Sequence, residues 1–502
     1  MKKIKFILPI IALSLFSCSD YLDINESPNS PTKEQVTPDL ALSTAQTVPF
    51  RTISRTGLVF GNLMLNNWGY NVNSFAVTSP EEFTLAFTNN TYSAIWDGLF
   101  IGTANLTNII NHPSTAHDNH KAIAKIMKSY YFQYLVDMYG DIPYSEAHLG
   151  SESLTPSYDD DQAIYRDLVV QIEEAIAMIN NPAANTIAVG GEDSVLNGDM
   201  NAWIQFGNTL KMRLLLRQSE MTDGETQAYL TAEFAELAGA DFLDADVTIN
   251  PGYDDSVDEG QNPIYNLFYE VQSGSNPPVD KQSFRLYRAS EYFAMELEDN
   301  PKDPRRTRLF NPVGGMIVGV RQGDASAVGG GTAPANISTI GPGVIRTASS
   351  PGFIMTLAES KLLHAEAALR GYLPGDAQTL FNEGIIASFN HLQVANPGTY
   401  VADIDATVGK GLGGGTFDDK IEAIMYQKNV ALSGHNALEV YIEYTRTGVI
   451  DNIPLVSAVA TQPNRPRRLL YPNSEYVGNS ANVPQQSVND IFTSGPFWFV
   501  EQ

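Results

Sequence analysis

Ten consecutive residues, Asn66-Asn67-Trp68-Gly69-Tyr70-Asn71-Val72-Asn73-Ser74-Phe75, alternate side-chain amides with aromatic rings in a stretch without a helical period. Flat rings can lie against the C–H faces of sugars while amides bond the ring hydroxyls, so the run has the chemistry of shallow, shape-selective carbohydrate recognition. Asn66, Trp68, Tyr70 and Asn71 are its candidate contacts. A second concentration joins Tyr265, Tyr269, Phe284 and Tyr287 with Arg285 and Arg288, and adds Tyr265, Tyr287 and Arg288 as candidates. Both sets have a plainer reading: aromatics are highly buried on average, so the first set could pack on helices and the second could form a small core under a long loop.

Catalytic and metal templates fit less well. Asp141 and Glu146 are an acidic pair of the kind a glycosidase uses, but sequence spacing does not set the carboxylate separation that such a mechanism needs, and Gly140, Asp141 and Pro143 read as a helix-ending turn. His364-Ala365-Glu366 matches half of a zinc deaminase signature whose other half needs two cysteines, and the chain has one. The glycine-rich residues 411–416 lack the Lys-Ser/Thr of a phosphate loop. His112, His117, Asp118 and His120 could ligate a metal, yet they lie at an expected helix start, with Asp118 as its cap and the histidines facing water. The acidic residues 241–258 lack the glycine-anchored, Glu-terminated frame of a calcium loop. No cofactor and no metal is expected.

The single cysteine, Cys18, follows Leu15-Phe16-Ser17 at the end of an eleven-residue apolar run, Phe6 to Phe16, itself preceded by Lys2, Lys3 and Lys5. This is the pattern of a lipoprotein signal over residues 1–17, with acylation of Cys18 anchoring the mature chain to a membrane. One cysteine also excludes an internal disulfide or a cysteine-ligated metal. A formal charge of -26 should repel nucleic acid; the nearest basic cluster, Arg465, Arg467 and Arg468, is short and isolated.

The elements that must position these residues read as mainly α. Ile123, Ile126, Tyr130, Tyr134 and Met138 share one helix face, Ile164 to Ile179 make a second stripe behind Asp159, Asp160 and Asp161, and Trp203, Phe206, Leu210 and Leu214 a third. Ile354, Ala358, Leu362, Ala365 and Leu369 predict a helix that Gly371 ends, followed at once by Ala377, Phe381, Ile385 and Phe389, and further helices are expected to end near Gly434 and Gly448. Such antiparallel pairs resemble tetratricopeptide units. Residues 18–502 are expected to form one domain with long irregular loops, roughly 50–100, 241–350 (the largest insertion) and 450–502, and a few short strands.

Several blocks, in order, resemble the SusD/RagB family of outer-membrane nutrient-binding lipoproteins: Cys18 to Asp23, DMYGDIPYSEA from Asp137, WIQFGNTLKMRLLLR from Trp203, DPRR from Asp303, LAESKLLHAEAALRG from Leu357 and PRRLLYPNSEYVGN from Pro466. Where the family tends to carry tryptophans near the last block of helices, this chain has Tyr441 and Tyr444 in LEVYIEYTRTG. The resemblance implies a tetratricopeptide-like scaffold, no catalysis, a lipid anchor at the cell surface, and delivery of an oligosaccharide to a SusC-like TonB-dependent transporter. A surface carbohydrate hydrolase using Asp141 and Glu146, and a capture protein for peptides or another nutrient, remain as alternative readings.

Overall fold

The computed structural model describes residues 36–71, 80–271, 278–321, 333–455 and 460–501. Cys18 and residues 72–75 of the amide-aromatic run lie outside them. The architecture is mainly helical. Helix α1 (Pro38–Thr52) continues through a π-turn (Ile53–Gly57) into α2 (Leu58–Met64), and strand β1 (Trp68–Tyr70) follows. Then come α3 (Ser93–Ile110), α4 (Asp118–Tyr139), α5 (Asp161–Asn180), α6 (Met200–Leu216) and α7 (Gly224–Leu237). Beyond these lie β2 (Val247–Ile249), α8 (Pro263–Phe268), β3 (Tyr269–Glu270), β4 (Val279–Asp280), β5 (Tyr287–Ala289) and β6 (Gly352–Met355). The last long helices are α9 (Leu357–Leu369), α10 (Ala377–His391), α11 (Phe417–Leu432) and α12 (Ala437–Arg446).

Sequential helices pair: α1 with α3, α3 with α4, α4 with α5, α5 with α6, and α9 with α10. Their ends obey local chemistry. Asp160 accepts from Ala163 N at the start of α5, Asp199 from Ala202 N at the start of α6, and Thr416 with Asp419 makes a reciprocal capping box on α11. Gly371 (φ 77°) and Gly448 (φ 72°) follow α9 and α12 in the left-handed region, as expected for C-terminal glycines. The helix α2 closes onto α12 at Gly61, where a Cβ would lie 2.2 Å from the Ala437 carbonyl, so only glycine permits this approach. Nearly all the buried apolar side chains join into one cluster that runs from Leu42 to Trp498.

Three expectations need correction. Residues 50–100 are not one irregular loop, because α1, the π-turn and α2 carry helix to Met64 and α3 begins at Ser93. All seven residues of α2 are buried, so it has no polar face and hence no amphipathic period to betray it. Ile354 belongs to β6, and α9 starts only after Thr356, whose side chain caps it. Finally, Asp118 is the first residue of α4 and not its cap, and His117 and His120 are buried. They face Asp39 and Glu192 at 3.2 Å and 3.1 Å.

Where α4, α6, α9, α11 and α12 meet, the core holds an ionic lattice. Arg213 binds Glu359 at 2.8 Å; Arg217 binds Glu439 at 2.6 Å, Asp137 at 3.3 Å, and also Glu443. Lys428 reaches Glu443 at 2.7 Å, and Arg446 reaches Glu366 at 2.8 Å and Glu443 at 2.9 Å. Tyr165 and Trp498 donate to Asp137 as well. Desolvating each charge costs several kcal/mol, an expense offset only when every partner is in place. Burial pushes Asp137 up to about 6 and Glu359 up to about 7. Burial opposes ionisation of Glu443 too, but Arg446, Lys428 and Arg217 together hold it well below the usual carboxylate range.

Candidate ligand site

The three short ladders among the described residues each pair two strands, and one of them joins the two aromatic segments singled out in the sequence. In it β1 runs antiparallel to β5, with Trp68 opposite Ala289, Gly69 opposite Arg288 and Tyr70 opposite Tyr287. Asn66 turns the chain into β1 from a left-handed conformation (φ 56°), and its carbonyl accepts from the Ser290 hydroxyl at the end of β5. Asn71 extends the ladder by one bond, its backbone N–H donating to the Leu286 carbonyl at 2.7 Å.

Beside this ladder lies a cavity of about 440 Å³ whose walls include Arg55, Tyr70, Glu82, Tyr92, Leu267 and Tyr287. The Tyr70 and Tyr287 rings are 5.5 Å apart and inclined at 51°. Glu82 accepts from the Tyr92 hydroxyl at 2.5 Å and from the Tyr70 hydroxyl at 3.4 Å. Burial and then the Glu82 charge raise the pKa of both Tyr70 and Tyr92, so each remains a neutral phenol able to donate. Arg55 is positioned by the Asn266 side-chain carbonyl at 2.9 Å. The cavity thus combines tyrosine rings, a carboxylate and a guanidinium, a set suited to an uncharged, hydroxyl-rich ligand.

The seven predicted contacts take different places. Tyr70 and Tyr287 line the cavity. Tyr265 is half-buried in an adjoining row of rings, 5.0 Å from Tyr269, which lies 5.1 Å from Phe284. Trp68, 1% exposed, shares the ladder face of Tyr70 and is packed against Tyr287 (5.6 Å) and Phe268 (6.1 Å), without lining the cavity. Asn66, Asn71 and Arg288 are buried. The Arg288 guanidinium donates to the Phe284 and Tyr287 carbonyls at 2.7 Å and 2.9 Å, which fixes the turn leading into β5. Sequence reasoning missed Glu82, Tyr92, Arg55 and Leu267. Glu81-Glu82 just beyond the amide-aromatic run was a signal for the carboxylate, whereas nothing local marks Tyr92, which reaches the cavity through a left-handed backbone (φ 57°).

The other candidates serve the fold. Asp141 accepts from Asp161 N at 3.0 Å and Glu146 from Ser157 N at 2.8 Å, so both carboxylates of the acidic pair hold turns. Glu366 belongs to the ionic lattice, and Gly411 packs where a Cβ would lie 2.2 Å from the Ile404 carbonyl. Within residues 241–258, Asp246 joins the start of α9 to His391, and Asp258 pairs with Lys281 at 3.1 Å. Tyr441 and Tyr444 are buried, with Tyr441 edge-on to Phe60 at 5.1 Å. Among the described residues no helix is long and apolar enough to cross a membrane.

Comparison with known proteins agrees with this architecture. The SusD-like family described as starch-binding associating with outer membrane matches residues 34–472. No functionally curated protein matches the sequence. Among solved structures, a chitin-binding protein superposes with a TM-score of 0.70 at 24% identity, covering 93% of this chain and 100% of its own. A chitin-binding SusD homologue from Flavobacterium johnsoniae gives 0.69 at 23% identity, over 88% and 92% of the two chains. A SusD-like protein from Bacteroides thetaiotaomicron gives 0.66 at 22% identity, over 89% and 94%. With the family match spanning most of its length and the paired-helix scaffold shared with these structures, the chain belongs to the SusD-like family of outer-membrane-associated nutrient-binding proteins, which bind ligands and do not transform them.

Proposed function

We propose that this protein captures an oligosaccharide in the cavity beside the β1–β5 ladder and hands it to a SusC-like TonB-dependent transporter, while acyl chains on Cys18 hold it at the cell surface. The observation that carries the reading is the convergence of Tyr70, Glu82 and Tyr92, from one stretch of chain, with Tyr287 from a distant one, on one opening of about 440 Å³. Tyrosine faces supply the apolar contact, and the Glu82 carboxylate, with capacity beyond its two tyrosine donors, accepts from ligand hydroxyls. Because two of the similar structures bind chitin, oligomers of N-acetylglucosamine are the first ligands to try.

Isothermal titration against neutral and acidic oligosaccharides tests the proposal. Heat with at least one neutral oligomer, and a tenfold or greater loss of affinity in both Tyr287→Ala and Glu82→Gln, is expected. The absence of heat across the panel would defeat it. Product analysis of the same mixtures should find every oligomer intact. Mass spectrometry of the membrane-extracted protein should find an acylated Cys18 at its N-terminus.

A further inference from the structure

A second cavity, of about 470 Å³, opens where the C-terminal half of α3 meets the segment after Ala147, and its walls include Asn105, Asn108, Asn111, His112, Leu149 and Glu152. Its chemistry differs from that of the aromatic cavity. Asn105 and Asn108 occupy adjacent turns of one helix face, and Asn111 closes the helix. Asparagine inside a helix is disfavoured relative to alanine, because its short amide competes for backbone bonds. Among the described residues the side chains of Asn105, Asn108 and Asn111 find no hydrogen-bond partner; Asn105 is half-buried and Asn108 and Asn111 are exposed, so their amides are open to a ligand.

The opposite wall is held in place. His148 adopts a left-handed backbone (φ 66°), and both of its ring nitrogens are engaged on α3, with the Thr107 hydroxyl at 3.1 Å and the Phe100 carbonyl at 2.9 Å. This clamp sets Leu149 and Glu152 across from the amides. Burial, with His117 and Lys121 nearby, lowers the His112 pKa and keeps that imidazole neutral. The cavity therefore offers amides that both donate and accept, a neutral imidazole, one carboxylate and an apolar leucine, and none of its named wall residues carries a positive charge.

We infer that this cavity is a second binding site for a neutral, hydroxyl-rich ligand, a saccharide unit recognised edge-on by the amides of α3, separate from the face-on recognition in the tyrosine cavity. An amide presents a donor and an acceptor side by side, which matches a pair of neighbouring hydroxyls, and the Glu152 carboxylate disfavours an anionic sugar.

Hydrogen–deuterium exchange of the full protein, with and without a hexamer of N-acetylglucosamine and separately a hexamer of glucose, reads the two sites independently. Protection of residues 105–112 and 147–152 with at least one hexamer is expected in the wild type and in Tyr287→Ala. It should fall at least tenfold in ligand sensitivity in Asn105→Ala/Asn108→Ala, a pair that favours the helix and keeps the fold. Protection that persists unchanged in the asparagine variant, that disappears in Tyr287→Ala, or that is absent with both hexamers would overturn the inference. Protection at 105–112 with none around Tyr70 and Tyr287 would instead uphold this site and defeat the reading of the tyrosine cavity.

Discussion

The ionic lattice between α4, α6, α9, α11 and α12 and the tyrosine cavity beside the β1–β5 ladder divide the work of the chain. The lattice holds Asp137, Arg213, Arg217, Glu359, Glu366, Lys428, Glu439, Glu443 and Arg446, each almost wholly buried and each paired. The cavity is lined by buried Tyr70 and Glu82 and half-buried Tyr92 and Tyr287, on short strands, turns and helix ends. Three of the six recognisable sequence blocks deliver Asp137, Arg213, Arg217, Glu359 and Glu366 to the lattice and LEVYIEYTRTG delivers Glu439, Glu443 and Arg446, whereas Tyr70, Glu82, Tyr92 and Tyr287 lie in none of them. The recognisable blocks thus hold much of the scaffold's ionic lattice, and the cavity is built by segments outside them.

Breaking the lattice should give the largest effect. Arg217→Leu leaves Asp137, Glu439 and Glu443 buried without their shared cation, and the loss is about 3–5 kcal/mol. Chemical denaturation measures it, as a midpoint shift of a cooperative transition. A smaller loss of about 1 kcal/mol is expected for Thr416→Ala, which removes the cap of α11 far from either cavity, with oligosaccharide affinity unchanged by titration.

The pH response sharpens the same contrast. Glu359 has its folded pKa raised from 4.5 to about 7, so the folded state binds this proton more tightly than the unfolded chain does. Its contribution to stability is full below pH 4.5 and is lost as pH rises through about 7. Asp137, raised from 3.8 to about 6, acts in the same sense over a lower window. Thermal melts from pH 4.5 to pH 8 should therefore show the stability of the wild type falling relative to Glu359→Gln as pH rises, and a difference independent of pH would contradict the assignment. The smallest effect belongs to the cavity: Tyr92→Phe removes one donor to Glu82 and should change ligand affinity only a few-fold by titration, with little change in melting temperature.

Much of the scaffold was legible in sequence because α5 and α10 each bury one face, and because α4, α6 and α9, though buried more widely, are long enough to carry a repeat of apolar residues. The α1–α2 run was not, since α2 is buried all round and Pro49 lies inside α1. For the site, composition located both aromatic segments but not their pairing. Strands of three residues carry too little pattern to specify a partner more than two hundred residues away. The same composition could not separate Tyr70, which lines the cavity, from Trp68, which does not, because both are aromatic residues of one strand.

A crystal structure of the protein with the oligosaccharide that titrates most tightly would test the account most directly. Sugar density in contact with Tyr70, Tyr92 and Tyr287, with a ligand hydroxyl bonded to Glu82, is the predicted result. Density confined to surfaces that touch none of these four residues would contradict it.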